Sequence, residues 1–591
     1  MRSAVAQIDT RPGDFAGTSA RAVAQSRLAV QAGAELLVLP LPALTGMTPV
    51  PFGSKQPYLA DLGVTLINLA RELACPCLVP IVVDADGMPM AEVVLVDDGS
   101  ATPLRFSALA GDASGGGRPG NATERIATVE ILGERIALAF SYEDLDLISS
   151  PEYLGQADVV LFFVGYGYAV DDASSALGSA LAQNRFPGYA RSCGAWLVAA
   201  SAAGGYGHQV FCGSSFVLAP DGRLAACASA FEEELFVADI GHDIRLSAGS
   251  ELAIEMYDER VFLWNALSLG LRSYVEKLGE TDVVIALDGS LSSMALAALA
   301  SDALGPTRVH ALDCVPRGHP RSLMPAVLAR TLRIDCRELD GAWAMLAHGD
   351  EALHRDVAQA YVVELAREVG GMVLMTEDKT ELSLVPRTHR VMASAFAPLG
   401  DVYRIDVLDI CRTRNAISPV FDRVVLFTED LPRVSGAKAL YANEVLLERI
   451  DDVLSMHVEG GSPLFEVGEA VGDASLAEAV LRQFAMTMRS SAVPEVLTMT
   501  TCPLEDYHLP HGFAWSDSRE AEEQRRRDET LEALFGSISA PSAPEAEGQR
   551  LAFDVPAEMV EGSSELREAL DLLRDLSLGT GADWRNPFSE N

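Results

Sequence analysis

LWNALSLGLRSYVEKLGETDVVIALDGSLSS, residues 263–293, is the stretch that decides the fold. Its first part spaces apolar residues as an amphipathic helix does, and Val283-Val284-Ile285-Ala286-Leu287 is an unbroken apolar run of strand length. The run ends in a loop of small residues, Asp288-Gly289-Ser290-Leu291-Ser292-Ser293, and a second helical pattern follows from Met294. A strand that opens through Gly and Ser into a helix start is a place to hold phosphate, because unpaired amides and the helix dipole both point there. Yet the loop begins with an aspartate. A carboxylate about 4 Å from a phosphate charge costs on the order of 4 kcal/mol at an effective dielectric of 20. A magnesium ion bridging the two would reverse that sign.

Downstream the same alternation continues. It predicts a strand over 308–313, helices over 321–332 and 351–369, and a strand over 371–376. That order indicates a doubly wound parallel sheet, whose ligand site lies at the carboxyl ends of the strands. Upstream, strands are expected at Ala4–Gln7, Glu35–Leu39, Val93–Val96, Arg135–Phe140, Asp158–Val164, Ala195–Ala200 and Val210–Leu218, with a helix over Ser19–Ala32. Such a pattern indicates an α/β unit of layered sheets. Three parts are expected: 1–245, 246–510, and an acidic tail 511–591 with 18 acidic and 8 basic residues. Leu566, Leu570, Leu573 and Leu576 share one face of a predicted tail helix, which should dock within the chain.

Composition narrows the partners. The formal net charge of −39 argues against nucleic acid and anionic membranes as partners, since both demand basic surface. The longest apolar runs are too short to span a bilayer, and the N-terminus lacks a signal peptide's basic and apolar regions, so a cytoplasmic protein is expected. Nine scattered cysteines form no disulfide framework or zinc spacing.

With these landmarks placed, the chain resembles the glutamine-dependent NAD synthetases over roughly its first 500 residues. The motifs that carry the resemblance come in order. They are Leu36-Leu37-Val38-Leu39-Pro40 with Ala43-Leu44-Thr45-Gly46, Glu143-Asp144-Leu145, and Gly204-Gly205 through Gly213-Ser214-Ser215-Phe216. Ala266 to Arg272, Ala303-Leu304-Gly305, Thr376 to Leu382 and Pro398-Leu399-Gly400-Asp401 continue them. The resemblance implies an N-terminal nitrilase-like α/β sandwich. A doubly wound, parallel-sheet PP-loop domain of the adenine-nucleotide-hydrolase kind should follow it.

The catalytic positions depart from that pattern. A nitrilase-type glutaminase uses a cysteine nucleophile, a glutamate base and a lysine at the oxyanion. The glutamate's place holds Leu41 and the cysteine's holds Tyr142, and no lysine lies between Lys55 and Lys277. Cys193, or Cys212 with His208 nearby, is an improbable relocated site, since lone buried thiols are usually inert. In the second domain the family loop Ser-Gly-Gly-x-Asp-Ser reads Asp288-Gly289-Ser290-Leu291-Ser292-Ser293, keeping only Gly289 and Ser293.

Further along, the resemblance makes Thr376 a nucleotide contact, Glu381 a magnesium ligand and Arg404 the replacement of a phosphate-binding lysine. Asp288 is a second candidate metal ligand, and Glu377-Asp378 add negative charge where the family has Gly-Asn. The deamido-NAD box has two registers, one through Glu351 and one through Gln359-Ala360, neither with its arginine. The family's Tyr-Gly-Asp is missing between Pro386 and Met392, and its basic stretch is reduced to Met488-Arg489-Ser490-Ser491. A competing reading makes Thr376, Lys379 and Glu381 a helix start with capping carboxylates and a buried polar cluster.

ATP and magnesium are thus the candidate cofactors, neither fixed by a complete motif. The candidate ligands are ATP, NAD or deamido-NAD, and the resemblance implies a homo-oligomer or co-assembly with an active paralogue. Two functions remain: a silent relative acting as scaffold, regulator or nucleotide-binding protein, or a working NAD synthetase fed by ammonia. The number of independent losses favours the first.

Overall fold

A computed structural model describes residues 1–41, 43–46, 56–85, 88–108, 128–172, 174–241, 244, 257–315, 319, 321–339, 351–385, 396–423, 425–426, 443–490 and 494–504. The expected acidic tail and the Pro386–Met392 region lie outside them.

Two six-stranded sheets face each other in the first unit. One runs Glu234–Asp239, Arg2–Gln7, Leu36–Val38, Cys77–Ala85, Met88–Asp97, Ser100–Ala108. The other runs Leu224–Cys227, Phe216–Leu218, Trp196–Ala200, Val159–Phe163, Glu134–Ala139, Thr128–Ile131. Central strands such as Val159–Phe163 are buried along their whole length, as their continuous apolar sequence requires of strands covered on both faces. Val5, Leu36, Leu78, Leu138, Leu161 and Val198 fill the space between the sheets. Helices Phe15–Gln31 and Gln56–Glu72 cover one outer face, and Tyr142–Ile148, Leu177–Ala182 and Arg185–Cys193 cover the other. This is a nitrilase-like α/β sandwich.

The second unit is built on a four-stranded parallel sheet in the order Asp335–Glu338, Val309–Asp313, Val283–Leu287, Met372–Leu374. Helices Leu291–Leu304 and Met324–Leu332 pack on one face and Glu351–Val369 on the other. The strand order reverses between Val283–Leu287 and Met372–Leu374, so the crevice at the carboxyl ends of these two strands is the expected ligand position. A helical group follows, with Lys379–Leu384, Asn443–Leu454, Leu464–Val471 and Ala474–Ser490 sharing one core.

One local expectation needs correction, and two local features add to the sequence reading. Val210–Leu218 is two strands, Gln209–Cys212 and Phe216–Leu218, because Gly213 and Ser214 take positive φ values of 74° and 59° and turn the chain. Asp335–Glu338 is an additional strand that its polar sequence concealed; it lies at the sheet edge, where no apolar face is needed. Ser141, just past the expected strand Arg135–Phe140, caps helix Tyr142–Ile148, its hydroxyl accepting from the Asp144 amide.

Helix Glu259–Leu278 joins the two units. Asp258 caps its start and Gly279, at φ 81°, ends it. It packs on helices Leu291–Leu304 and Arg404–Ile417 on one side and on the hairpin Ala203–Tyr206/Gln209–Cys212 on the other. The approach to the hairpin is close. A Cβ at Gly270 would lie 2.6 Å from Val210 Cγ2 and 3.0 Å from Leu497 Cδ1. Gly270→Val is therefore expected to lower the unfolding free energy by about 2 kcal/mol through overpacking. Gly63→Ala, where nothing lies within 4 Å, should be neutral or slightly stabilising. Urea denaturation midpoints of the two variants check both signs.

Candidate functional site

The crevice of the parallel sheet gathers most of the residues singled out in the second unit. Gly289 turns the chain at φ 80°, with Val315 Cγ2 only 3.2 Å from where a Cβ would stand. Ser290 then caps helix Leu291–Leu304, its Oγ accepting from the Ser293 amide at 3.2 Å. Asp288 is exposed, and its Oδ1 accepts from the Ser290 amide at 2.9 Å and hydroxyl at 2.6 Å. Two of the loop's amides thus already have acceptors within the loop. Arg321, nearly buried, donates from Nη1 to the Gly289 carbonyl at 3.1 Å and packs the loop from behind.

Across the crevice, Thr376 is half-buried in the connection after strand Met372–Leu374. Asp378 caps helix Lys379–Leu384, with Oδ1 accepting from the Glu381 amide at 2.9 Å. Its Oδ2 accepts from the Ser292 hydroxyl and, at 2.7 Å, from Arg404 Nε. Arg404 Nη2 donates to Glu381 Oε2 at 2.8 Å. The charge that Asp378 adds is therefore met by Arg404 rather than left facing the crevice. Asp288, Gly289, Ser290, Ser292 and Ser293 follow strand Val283–Leu287, and Thr376 and Glu381 follow the neighbouring strand Met372–Leu374. Ser292, Glu381 and Arg404 are linked through Asp378 and Arg404, while Asp288, Ser290 and Ser293 bond to one another.

A second buried layer backs the first. Lys379 is fully buried, 2.8 Å from Asp401 and 2.6 Å from Glu459, and donates to Thr500 Oγ1 at 2.7 Å. Glu459 ends a π-helical turn, Ser455–Glu459. Thr380 donates to Asp451 Oδ1 at 2.6 Å, and Asp451 Oδ2 accepts the Ile405 amide at 2.9 Å. Asp378 as the cap, with Glu381 in the first turn, and Lys379 in a buried polar cluster match the arrangement that competed with the nucleotide reading, while Thr376 stands in the connection before the cap. Asp451 and Glu459 were not singled out from sequence, and Asp401 only as part of the Pro398–Asp401 motif. Asp378 was singled out only as added negative charge; the Asp-x-x-Glu spacing of Asp378 and Glu381, a capping pattern, is the local signal for its role as a cap.

Magnesium demands several open oxygens in near-octahedral array. Glu381 is engaged with Arg404, the oxygens of Asp378 have the partners named above, and Asp288 accepts from Ser290. Among the described residues, no group of three or more His, Cys, Asp or Glu side chains is arranged to hold a metal ion. A divalent ion about 5 Å from the guanidinium would meet a repulsion of about 7 kcal/mol at an effective dielectric of 20. As arranged, these residues do not fit magnesium.

The first unit's candidate positions are filled differently. Leu41 is fully buried in the core between the sheets. Tyr142 is half-buried in an aromatic stack, its ring 5.6 Å from Tyr166 and 5.8 Å from Phe186, each at an interplanar angle of 26°. The Arg185 guanidinium carbon sits 3.7 Å from the Tyr142 ring centroid. The phenol donates to the Ser174 carbonyl at 3.0 Å and accepts from Tyr166 Oη at 2.8 Å. Burial raises its pKa, so the phenol is neutral near pH 7. Burial likewise pushes the Cys193 thiol up to about 11 and raises that of Cys212, while His208 Nδ1 lies 3.3 Å from the Val496 carbonyl.

No protein-family model matches the chain. Among curated proteins, the glutamine-dependent NAD(+) synthetase of Rhodobacter capsulatus is 32% identical over 234 residues, 36% of this chain and 42% of that protein. That of Aquifex aeolicus is 27% identical over 308 residues, 43% of this chain and 54% of that protein. The chain resembles the glutamine-dependent NAD synthetases. It spans about half the length of the curated relatives it matches. Two solved structures share the fold over 88% of this chain and 99% of their own. They are the Cytophaga hutchinsonii glutamine-dependent NAD(+) synthetase, with TM-score 0.66 and 15% identity, and the Acinetobacter baumannii enzyme in complex with ADP, with TM-score 0.60 and 20% identity. Among the described residues no helix is long and apolar enough to cross a membrane.

Buried and half-buried carboxyls set a pH dependence. Burial pushes Asp451 up to about 8, and desolvation pushes Asp406 up to about 6 and raises Glu381 against the pull of Arg404. Each binds its proton more tightly folded than unfolded, where carboxyls titrate near about 4. The folded chain therefore holds more protons between about pH 4 and 8, and stability falls as pH rises through that window. The thermal midpoint is expected to decline from pH 5 to pH 8, and Asp451→Asn to flatten the decline; melting curves at several pH values check it.

Proposed function

We propose that this chain is a catalytically silent relative of glutamine-dependent NAD synthetase, serving as a scaffold, regulatory or nucleotide-binding protein. In this reading residues 1–245 form the nitrilase-like domain, 246–510 the synthetase-like domain and 511–591 an acidic tail. The observation that carries it is Tyr142. At the place where the family has its nucleophilic cysteine stands a neutral phenol, hydrogen-bonded on both sides and clamped between aromatic rings. A phenol with a raised pKa is a poor nucleophile. Leu41 offers no lone pair to take a proton, and packing in the inter-sheet core leaves no reason for another base to act there. In the second unit, the loop that would receive phosphate supplies its own acceptors through Asp288 and Ser290.

Glutamine hydrolysis is expected to fall below that of an active relative by more than about four orders of magnitude, the scale on which losing a nucleophile acts. NAD formation from deamido-NAD, magnesium-ATP and ammonium is expected to match a heat-killed control. Glutamate release and NAD, both measured on purified full-length protein, are the readouts. NAD production that disappears in Glu381→Ala would overturn the silent reading in favour of an ammonia-fed ligase. Dinucleotide binding by calorimetry, without turnover, would select the nucleotide-binding form over the scaffold.

A further inference from the structure

We propose that the guanidinium of Arg404 is the resident cation of the crevice. It stands between Asp378 and Glu381 in place of a divalent metal, so that the site takes neither free magnesium nor a metal-bound triphosphate. The inference builds on the family reading of this crevice and says what became of its metal.

The placement of Arg404 is determined from both ends. It is the first residue of helix Arg404–Ile417, and its amide donates to Thr380 Oγ1 at 2.9 Å while the next amide donates to Asp451 Oδ2 at 2.9 Å. The backbone is thereby fixed on the side away from the carboxylates. The side chain is nearly buried and reaches back to helix Lys379–Leu384, where Nε meets Asp378 and Nη2 meets Glu381. The capping residue and the third residue of that helix stand one turn apart, a span that a planar guanidinium bridges with two nitrogens. A lysine would bring a point charge to one carboxylate at a time.

Ser292, at a position where the family carries an aspartate, donates to the same Asp378 oxygen that Arg404 holds. The substitution at Ser292 and the one at Arg404 thus converge on a single carboxylate. Removing an acidic ligand and exchanging a lysine's point charge for a guanidinium that engages two carboxylates at once are complementary changes, since each lowers the demand for a metal ion. A nucleotide arriving as its magnesium complex would have to expel a buried, doubly hydrogen-bonded arginine before its metal could reach Glu381. Such charge-assisted pairs are strong and geometrically specific.

Mn2+ titration of the full chain, followed by electron paramagnetic resonance, tests the proposal. The wild-type chain is expected to show no Mn2+ binding sensitive to Glu381→Gln up to about 1 mM. Arg404→Ser, which frees both carboxylates, is expected to gain a site at least about tenfold tighter than any in the wild type, and Arg404→Ser/Glu381→Gln to lose it. Arg404→Lys, which keeps the charge but reaches only one carboxylate at a time, should gain a Glu381-dependent site weaker than that of Arg404→Ser. Wild-type binding that Glu381→Gln abolishes would overturn the proposal, as would a folded Arg404→Ser that gains nothing. Should circular dichroism find Arg404→Ser unfolded, the wild type and Arg404→Lys decide: Glu381-dependent Mn2+ binding in the wild type, or no gain in Arg404→Lys, overturns it, and absence in the wild type with a gain in Arg404→Lys supports it. Metal binding without NAD formation would sink this inference alone. NAD formation without Glu381-dependent metal binding would sink only the silent reading.

Discussion

Charge removed from water must be neutralised, and that requirement governs the centre of this molecule. Lys379 is fully buried between Asp401 and Glu459, and Arg404 is nearly buried against Asp378 and Glu381. Removing one member of such a pair leaves the other uncompensated, typically at a cost of about 3–5 kcal/mol. The partners come from distant parts of the chain: two helix starts, the loop at Asp401, the π-turn at Glu459 and the segment around Thr500. No one of these can be placed until the others are. The π-turn fits this account, because Glu459 is delivered to Lys379 by it, and π-turns are often found where a side chain must be re-aimed.

The same cluster reaches the first unit. Asp401 Oδ2 accepts the Met499 and Thr500 amides at 2.7 Å each. The Met499 carbonyl accepts from the Val170 amide at 2.6 Å, and Asp171 accepts the Thr501 amide at 2.9 Å. On the other flank, Lys277 Nζ donates to Asp9 Oδ1 at 2.7 Å and to the Gly205 carbonyl. Tyr274 stacks on Phe396 at 3.7 Å and donates to Glu495 at 2.7 Å. Tyr168, Val210, Cys212 and Ala230 from the sandwich belong to the same apolar cluster as Leu267, Leu271 and Val275 of the joining helix.

Much of the fold was legible because its strands are covered on both faces and so read as continuous apolar runs. Val283–Leu287 and Val159–Phe163 announce themselves in this way. Asp335–Glu338 did not, since an edge strand with polar residues carries no burial signal. The turn at Gly213-Ser214 was hidden because both flanking runs are apolar and a periodicity argument joins them. At the crevice, Asp288, Glu381 and Arg404 could be singled out by their positions in motifs, but their partners could not. Ser292, Asp378 and Arg404 meet across long stretches of chain, and which carboxylate an arginine chooses is a fact of three dimensions. The stack around Tyr142 has the same origin, bringing Phe162, Tyr166 and Phe186 together from separate elements.

The core shared by the two units bears on how such a chain can change over generations. On the silent reading proposed above, a sandwich without hydrolysis would ordinarily be free to erode or to be cut away by truncation. Here its hairpin is one wall of its neighbour's interior, and deleting it would expose the apolar flank of helix Glu259–Leu278 to water. Selection for the second unit alone would therefore suffice to keep the first, with Tyr142 and Leu41 free to settle as packing residues. Its persistence needs no surviving chemistry of its own.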